Sequence, residues 1–228
     1  MTQHAHGDHD HHHDHDHDHD HDHDHDHEHA PPQPDDKVHS YYQILGVALK
    51  ELLIEKGVVT ADEVRAAIEA RDSITPGNGA KLVARAWVDP AYRERLLTEA
   101  NAAAAELGHP LPTTHLIALE NTEKVHNVVV CTLCSCYPRE LLGLPPSWYK
   151  SKAYRARIVR EPRAVLEEFG VRVPDDVEIR VRDSTADLRY LVVPRRPAGT
   201  EGMSEEQLAA LVTRDAMIGV ATVKPPIS

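Results

Sequence analysis

Apolar residues in the first half of the chain recur every three or four positions, which is the spacing of one face of an α-helix. Capping and helix-breaking residues divide this stretch into separate helices. The predicted helices are Tyr41 to Lys56, Thr60 to about Arg71 with a capping box at Thr60 and Glu63, a segment from Ala80 after a break at Gly77 to Gly79, and Asp89 to Glu106. Their apolar faces are modest, so we expect these helices to pack against something outside the chain.

The pattern changes to extended segments at Leu116. The predicted strands are Leu116 to Leu119 and His126 to Val130, joined by Glu120 to Lys124, and Val177 to Arg182 and Leu188 to Val193, which are expected to form a hairpin around Asp183 to Asp187. Helical patterns cover Trp148 to Arg160, Pro162 to Phe169 and a segment capped at Ser204 that ends at Thr213. This order predicts an α+β fold, with an N-terminal helical arm at residues 37–110 and a layered α/β/β/α domain at residues 111–228. The loop after Val130 then lies at a strand end, a common place for functional residues.

The first 36 residues have a different composition from the rest. Residues 1–29 hold 14 of the 18 histidines and ten acidic residues, largely as Asp-His alternation, with no aromatic or branched apolar residue. Such a segment cannot bury apolar surface and is expected to be disordered. Imidazole alternating with carboxylate chelates divalent cobalt, nickel or zinc, so we interpret it as a metal-binding tail; a solubilising tail or expression tag is the alternative. Residues 30–36, with three prolines, form a stiff linker.

The tail also accounts for most of the net charge of −12. Without its ten acidic residues, 27 acidic residues face 25 basic ones, a balance that gives no indication of nucleic-acid binding. No stretch of about 20 apolar residues occurs, so no membrane association is expected. The amino end shows no secretory signal and the cysteines are odd in number, which together predict a reducing, cytoplasmic location.

All three cysteines lie within six residues, in the run Cys131-Thr132-Leu133-Cys134-Ser135-Cys136. Cysteine binds metals as the thiolate. Cys134 and Cys136 bracket the peptide nitrogens of Ser135 and Cys136, and loss of both amide protons would give four donors near one plane. Cys131 can reach the same ion as an axial donor, which leaves one octahedral position open. Peptide nitrogens are very weak acids, so a trivalent cobalt or iron ion fits better than zinc, and the open position indicates Lewis-acid chemistry.

Two other uses of the cysteines stay open. Cys-x-x-Cys is common in structural zinc sites, but these need a fourth ligand. The nearest candidate is His126, whose place in a strand pattern points it at solvent or at a backbone partner. A disulfide framework is the other use, and an odd cysteine count in one loop disfavours it.

The residues around the cysteines resemble a known family. The segment Cys131 to Pro138 is similar to the metal-binding loop of nitrile hydratase alpha subunits and of the homologous gamma subunit of thiocyanate hydrolase. Further similar segments follow in the same order and spacing: Leu142 to Lys150, Tyr154 to Arg157, Arg196 to Gly202, and Leu211 to Asp215. The resemblance covers about residues 40 to 223.

The resemblance implies one trivalent cobalt ion per chain, bound by Cys131, Cys134, Cys136 and the backbone nitrogens of Ser135 and Cys136. In the family, the cysteines that match Cys134 and Cys136 are oxidised to sulfinate and sulfenate, whereas the match to Cys131 stays a thiolate. Thr132 and Tyr137 match the cobalt variant rather than the iron variant. The implied reaction is hydration, with the attacking oxygen supplied by the Cys136 sulfenate or by a water that it activates. Cys136, Ser135 and Arg139 are the candidate catalytic residues.

The resemblance also implies partners. In the family, one or more beta-type subunits complete the active site, and two of their arginines pair with the oxidised sulfurs. The helical arm embraces that subunit. Because the partner arginines are absent from this chain, the chain alone is expected to be poorly active. A metallochaperone or activator is a further expected partner, and the substrate is a small nitrile or thiocyanate.

Arg139 departs from the nitrile hydratase pattern, in which Cys-Tyr-Pro is usually followed by Trp. Thiocyanate hydrolase is similar to this chain in having Arg at that position, and a guanidinium suits an anion. An ordinary ion pair with Glu140 or with the partner is the alternative role. Three functions therefore stay open. The first is the catalytic subunit of a cobalt nitrile hydratase, the second is the gamma-type subunit of a thiocyanate hydrolase that yields carbonyl sulfide and ammonia, and the third is a cobalt carrier.

Overall fold

The computed structural model describes residues 40–226, so the predicted tail and linker at residues 1–36 lie outside the described residues. Helices and strands both occur in this part of the chain. The helices are α1 (Tyr41–Glu55), α2 (Ala61–Asp72), α3 (Pro76–Val88), α4 (Pro90–Thr98), α5 (Ala100–Glu106), α6 (Arg139–Leu142), α7 (Ser147–Lys150), α8 (Lys152–Arg160), α9 (Pro162–Glu168), α10 (Glu205–Leu211) and α11 (Arg214–Ile218). The strands are β1 (His115–Glu120), β2 (Val125–Val130), β3 (Glu178–Asp183) and β4 (Leu188–Val193).

Local capping signals place several helix starts where they were predicted. The Thr60 side chain accepts from the Glu63 backbone at 3.1 Å and the Glu63 carboxylate accepts from the Thr60 backbone at 2.7 Å, which is the predicted capping box. A second capping box joins Ser204 and Gln207 at the start of α10. Both predicted helix starts are confirmed. They could be predicted because each capping box joins residues only three positions apart.

The predicted break at Gly77 to Gly79 is wrong. Helix α3 begins at Pro76 and contains all three residues, since proline is well suited to the first helical position. A Cβ at Gly79 would overlap the Leu142 side chain and lie 2.8 Å from the Met217 sulfur. This glycine therefore permits close packing between helices instead of ending one.

Three predicted helices differ in extent from those observed. The fourth is divided at Glu99 into α4 and α5, and the segment from Trp148 to Arg160 is divided at Ser151, whose hydroxyl caps α8. The predicted last helix ends at Leu211, and α11 follows it with a cap from Thr213. The short helix α6 was not predicted, because four residues are too few to show a helical period.

The predicted hairpin of the third and fourth strands is also wrong. Strand β4 pairs in parallel with β1, and β3 pairs in parallel with β2. The ladders continue beyond the strands, because the Ser184 nitrogen donates to Val130 at 2.7 Å and the His115 nitrogen donates to Asp187 at 3.0 Å. The residues after β3 thus cross from one strand pair to the other. Strands β2 and β4 are rich in buried valine, as expected for parallel strands covered on both faces.

The two strand pairs lie between helices, which confirms the predicted α+β class. Helices α4 and α5 pack against β1, α11 packs against β4, and α9 packs against β3. Strands β2 and β4 contact each other between the pairs. The core therefore lies directly behind the end of β2, where the cysteine loop begins.

Helices α3 to α5 belong to this core, unlike α1 and α2. Small residues such as Ala84 and Ala104 are fully buried, as are Leu82 and Tyr92. These helices are therefore buried through close packing of small side chains, without a broad apolar face. Helices α1 and α2 bury no residue. The expectation that all the early helices pack outside the chain is therefore wrong for α3 to α5. Among residues 40–226, no helix has the length and apolarity needed to cross a membrane.

Candidate metal centre

The cysteine loop leaves the core at the end of β2. Val130 is fully buried, and Cys131, the next residue, is only 1% exposed. Cys134 is exposed and Cys136 is half-buried, so the loop rises from the core to the surface within a few residues. The sequence prediction that a strand end delivers this loop is confirmed.

The three sulfur atoms converge on one point. The Cys134 sulfur lies 3.3 Å from the Cys131 sulfur and 3.1 Å from the Cys136 sulfur, and all three lie within 4.8 Å of one another. With metal–sulfur bonds of about 2.3 Å, two sulfurs would be about 3.3 Å apart at a right angle and about 3.8 Å apart at the tetrahedral angle. The two distances from the Cys134 sulfur therefore fit right angles at an octahedral or square-planar ion better than the angles of tetrahedral zinc.

The backbone amides of the loop face the same cluster. Hydrogen bonds from the Cys136 and Cys131 thiols, together with weaker ones from the Ser135 and Cys136 amides, lower the pKa of the Cys134 thiol to about 7. Burial, together with these hydrogen bonds, raises the pKa of the Cys136 thiol to about 12. A cation among the sulfurs would displace the thiol protons, because metals bind cysteine as the thiolate. The Ser135 and Cys136 amides thus lie close to the Cys134 sulfur, and their role as nitrogen donors stays a prediction.

Hydrogen bonds from outside the loop hold its backbone. Asp183, at the end of β3, accepts from the Thr132 nitrogen at 2.9 Å and from the Thr132 hydroxyl at 2.6 Å. The Tyr149 hydroxyl donates to the Cys136 carbonyl at 2.8 Å, and Arg155 donates to the Cys134 carbonyl at 3.0 Å. Three side chains from outside the loop therefore fix its backbone without the help of a ligand.

Sequence reasoning did not assign these braces to the loop. Asp183 was expected in a hairpin turn, and only the parallel pairing of β2 with β3 brings it to Thr132. Tyr149 lies in a segment that carries the family resemblance, which is the one sequence signal that could have drawn attention to it. Pairing of distant strands leaves no local trace, so spacing alone could not have found Asp183.

Arg139 lies in α6, three residues after Cys136, and is exposed. Its side chain forms no hydrogen bond or ion pair with any residue in the described part of the chain. Glu140 instead accepts from the Thr113 hydroxyl at 2.7 Å. The ion pair between Arg139 and Glu140, considered from the sequence, is therefore not formed.

His126 is not a fourth ligand. It is buried in β2, its Nε2 lies 2.7 Å from the Gly219 carbonyl oxygen, and its Nδ1 faces the Asn121 amide. It has the backbone partner that the strand pattern predicted. Within residues 40–226, the group of side chains able to bind a metal consists of the three cysteines, all of them free thiols.

The family model for the nitrile hydratase alpha chain matches residues 40–221 of this protein. The chain belongs to that family. The resemblance noted in the cysteine loop is thereby confirmed over nearly all of the described residues. As a nitrile hydratase alpha-chain homologue, the protein has a cysteine cluster that fits a metal site, and several of its relatives are named as cobalt-containing.

Named relatives of this alpha-chain homologue include subunits of two enzymes. It is 54% identical over 181 residues to the low-molecular weight cobalt-containing nitrile hydratase subunit alpha of Rhodococcus rhodochrous, covering 78% of this chain and 87% of that protein. It is 46% identical over 209 residues to the thiocyanate hydrolase subunit gamma of Thiobacillus thioparus, covering 86% of each. Both relatives are named as subunits of larger enzymes.

Solved structures of the family share this fold. A recombinant thiocyanate hydrolase with partially modified cobalt centres superposes with a TM-score of 0.77 at 44% identity, covering 83% of this chain and 93% of that one. An Fe-type nitrile hydratase variant from Comamonas testosteroni Ni1 superposes with a TM-score of 0.76 at 43% identity, covering 84% and 98%. The chain therefore shares its overall fold with these solved structures.

Proposed function

We propose that this chain is the catalytic alpha-type subunit of a cobalt nitrile hydratase, which hydrates a small nitrile to the amide. The proposal is supported above all by the convergence of three cysteine sulfurs, with the Cys134 sulfur 3.1 Å from that of Cys136 and 3.3 Å from that of Cys131. The relatives at about 50% identity include subunits named as cobalt-containing nitrile hydratase alpha, which supports this choice of enzyme.

The proposed donors are the sulfurs of Cys131, Cys134 and Cys136 and the backbone nitrogens of Ser135 and Cys136. A trivalent cobalt ion held there would act as a Lewis acid toward a nitrile or thiocyanate. Cys136, once oxidised to a sulfenate by molecular oxygen, would supply or activate the attacking oxygen, with water replacing any oxygen consumed, and the Ser135 hydroxyl would orient the oxidised sulfurs. Tyr149 and Asp183 keep the loop in the shape that these roles need.

Thiocyanate hydrolysis is the second candidate, and Arg139 is the observation that favours it. An exposed guanidinium with no acidic partner in the described chain is available to an anionic substrate. We propose that it orients thiocyanate, whereas an aromatic side chain there suits an apolar nitrile. Arg139→Trp should lower thiocyanate turnover at least tenfold and leave or improve nitrile turnover. An unchanged ratio of the two activities would remove Arg139 from the binding of substrate.

The function is tested by co-expressing the full chain with its beta-type subunit and cobalt, then offering acrylonitrile and thiocyanate in parallel. Amide release with thiocyanate untouched identifies the nitrile enzyme, and carbonyl sulfide with ammonia identifies the thiocyanate enzyme. Cys131→Ser should abolish either activity. If neither product forms and the loop cysteines remain reduced thiols, the cobalt carrier becomes the better account, because a carrier needs reversible thiolates.

We further propose the setting in which this subunit works. The exposed helices α1 and α2, within the arm at residues 37–110, contact the beta-type subunit, and the domain at residues 111–228 carries the metal. The His-rich tail captures divalent cobalt, with or without a separate metallochaperone. Free thiols in the loop suit a reducing compartment such as the cytoplasm. Removal of residues 1–29 should slow cobalt loading at limiting cobalt and leave the activity of the loaded enzyme unchanged.

A further inference from the structure

Arg155 connects helix α8 to the cysteine loop. Its Nη1 donates to the Cys134 carbonyl at 3.0 Å and reaches the Thr132 carbonyl at 3.4 Å. Helix α8 is itself fixed in the core, because Ile158 is fully buried and the buried Tyr154 donates to the Val129 carbonyl at 2.7 Å. The guanidinium therefore reaches the loop from a rigid support.

The carbonyl that Arg155 contacts belongs to a particular peptide group. The Cys134 carbonyl and the Ser135 nitrogen are the two ends of one amide, and Ser135 provides one of the proposed nitrogen donors. When such a nitrogen gives its proton to solvent and binds a metal, the negative charge is shared with the carbonyl oxygen of the same amide. A guanidinium 3.0 Å from that oxygen stabilises the anionic form, since charge-assisted hydrogen bonds are about twice as strong as neutral ones.

The other arginines of α8 do not have this contact. Arg157 pairs with Glu161 at 2.6 Å and with Glu168 at 2.6 Å. Arg160 donates to the Ala156 carbonyl of its own helix at 3.2 Å. Arg155 forms no ion pair with an acidic residue in the described part of the chain, and its Nε is buried without a partner there. Its charge is therefore not neutralised by a neighbouring acid and acts directly on the loop.

The charge of the donor set makes such a contact useful. Three thiolates and two deprotonated amides carry more negative charge than a trivalent ion neutralises. A half-buried arginine beside the loop offsets part of the excess without occupying a coordination position.

We propose that Arg155 is a positioning residue of the metal centre, which holds the loop closed and stabilises the Ser135 backbone nitrogen as an anionic donor. This inference rests on the proposed function, because it takes the loop as a cobalt site with a backbone donor. It adds a residue outside the loop that determines how tightly the ion is bound.

The test uses the full chain, loaded with Co²⁺, exposed to air so that the cobalt becomes trivalent, and then challenged with a chelator. The readout is the sulfur-to-cobalt charge-transfer absorption, which the imidazoles and carboxylates of the tail do not produce. Arg155→Gln should release cobalt at least tenfold more readily than the wild type and shift the absorption maximum, since loss of a contact to a ligand costs 10- to 100-fold in affinity. Arg155→Lys keeps the charge and should recover part of both effects. Arg160→Gln removes a charge from the same helix and should change neither.

The outcomes separate this inference from the proposed function. If the wild type shows no sulfur-to-cobalt absorption, the proposed metal site fails, and this inference fails with it. If the wild type binds and Arg155→Gln stays within twofold of Arg160→Gln, only the role of Arg155 is overturned. The role is also overturned if Arg155→Gln only lowers the thermal midpoint, with an unmoved absorption maximum and no recovery in Arg155→Lys. Loss of affinity with a shifted maximum and partial recovery supports it.

Discussion

The contact between Asp183 and Thr132 should determine how closed the metal loop is before an ion arrives. Asp183→Ala removes two hydrogen bonds, one from the Thr132 nitrogen at 2.9 Å and one from its hydroxyl at 2.6 Å. The rest of β3 is untouched, because its ladder to β2 uses backbone groups. The substitution therefore loosens the loop with little change to the paired strands β2 and β3 that support it.

The size of the effect follows from the number and kind of bonds lost. A hydrogen bond to a charged group contributes about 1.5–3 kcal/mol. Both residues are exposed, so we take the low end and expect about 2–3 kcal/mol for the pair. That loss corresponds to a decrease of about 30- to 150-fold in cobalt affinity, because metal binding must then supply the free energy of closing the loop.

The assay is a competition between the full chain and a chelator of known affinity, followed by the sulfur-to-cobalt absorption. Thr132→Val removes only the hydroxyl bond and should lose about half as much free energy as Asp183→Ala. The matched control is Asp187→Ala, which removes an exposed carboxylate from the same connection between β3 and β4. An Asp183→Ala affinity within twofold of that control would refute the view that this contact preforms the loop.

Two further predictions concern the support behind the loop. Gly219→Ala should lower the free energy of unfolding in urea by at least about 2 kcal/mol, because φ is +90° and a Cβ would overlap the Asn127 carbonyl. The control Gly108→Ala, with φ +81° and open space around the residue, should lower it by about 1 kcal/mol. Equal losses in the two variants would contradict the role of the close contact at Gly219. Burial lowers the pKa of His126 from 6.5, so below pH 6.5 the unfolded chain binds more protons and stability should fall as pH decreases from 7 to 5. His126→Gln should make the free energy of unfolding less dependent on pH, whereas the exposed control His115→Gln should not. An unchanged pH dependence in His126→Gln would show that His126 is not its source.

The clustering of the three cysteines could be predicted from sequence because these residues are local. Cys131, Cys134 and Cys136 are close in the chain, so their spacing alone limits the geometry that they can form. The capping boxes at Thr60 and Ser204 were predictable for the same reason. Where three or four residues decide the structure, the sequence contains the whole interaction.

The structural predictions that were wrong depend on contacts between residues distant in the sequence. Gly79 has low helix propensity, yet it lies inside α3 because Leu142 and Met217 approach too closely for any side chain. The five residues Asp183 to Asp187 have the composition of a hairpin turn, but buried surfaces on both faces of β2 and β4 favour parallel pairing instead. Tertiary packing overrode local preference at each of these places.

The link between Thr132 and Asp183 also bears on the order of events during synthesis. The two residues are 51 positions apart, and β3 must pair with β2 before the hydrogen bonds between them can form. On a ribosome, the cysteines emerge well before that strand does, at about 5–20 residues per second. For several seconds the nascent chain thus presents three thiols without their brace. We therefore expect stable insertion of the metal only after β3 has paired with β2, and the thiols should be most exposed to the wrong metal or to oxidation before that pairing.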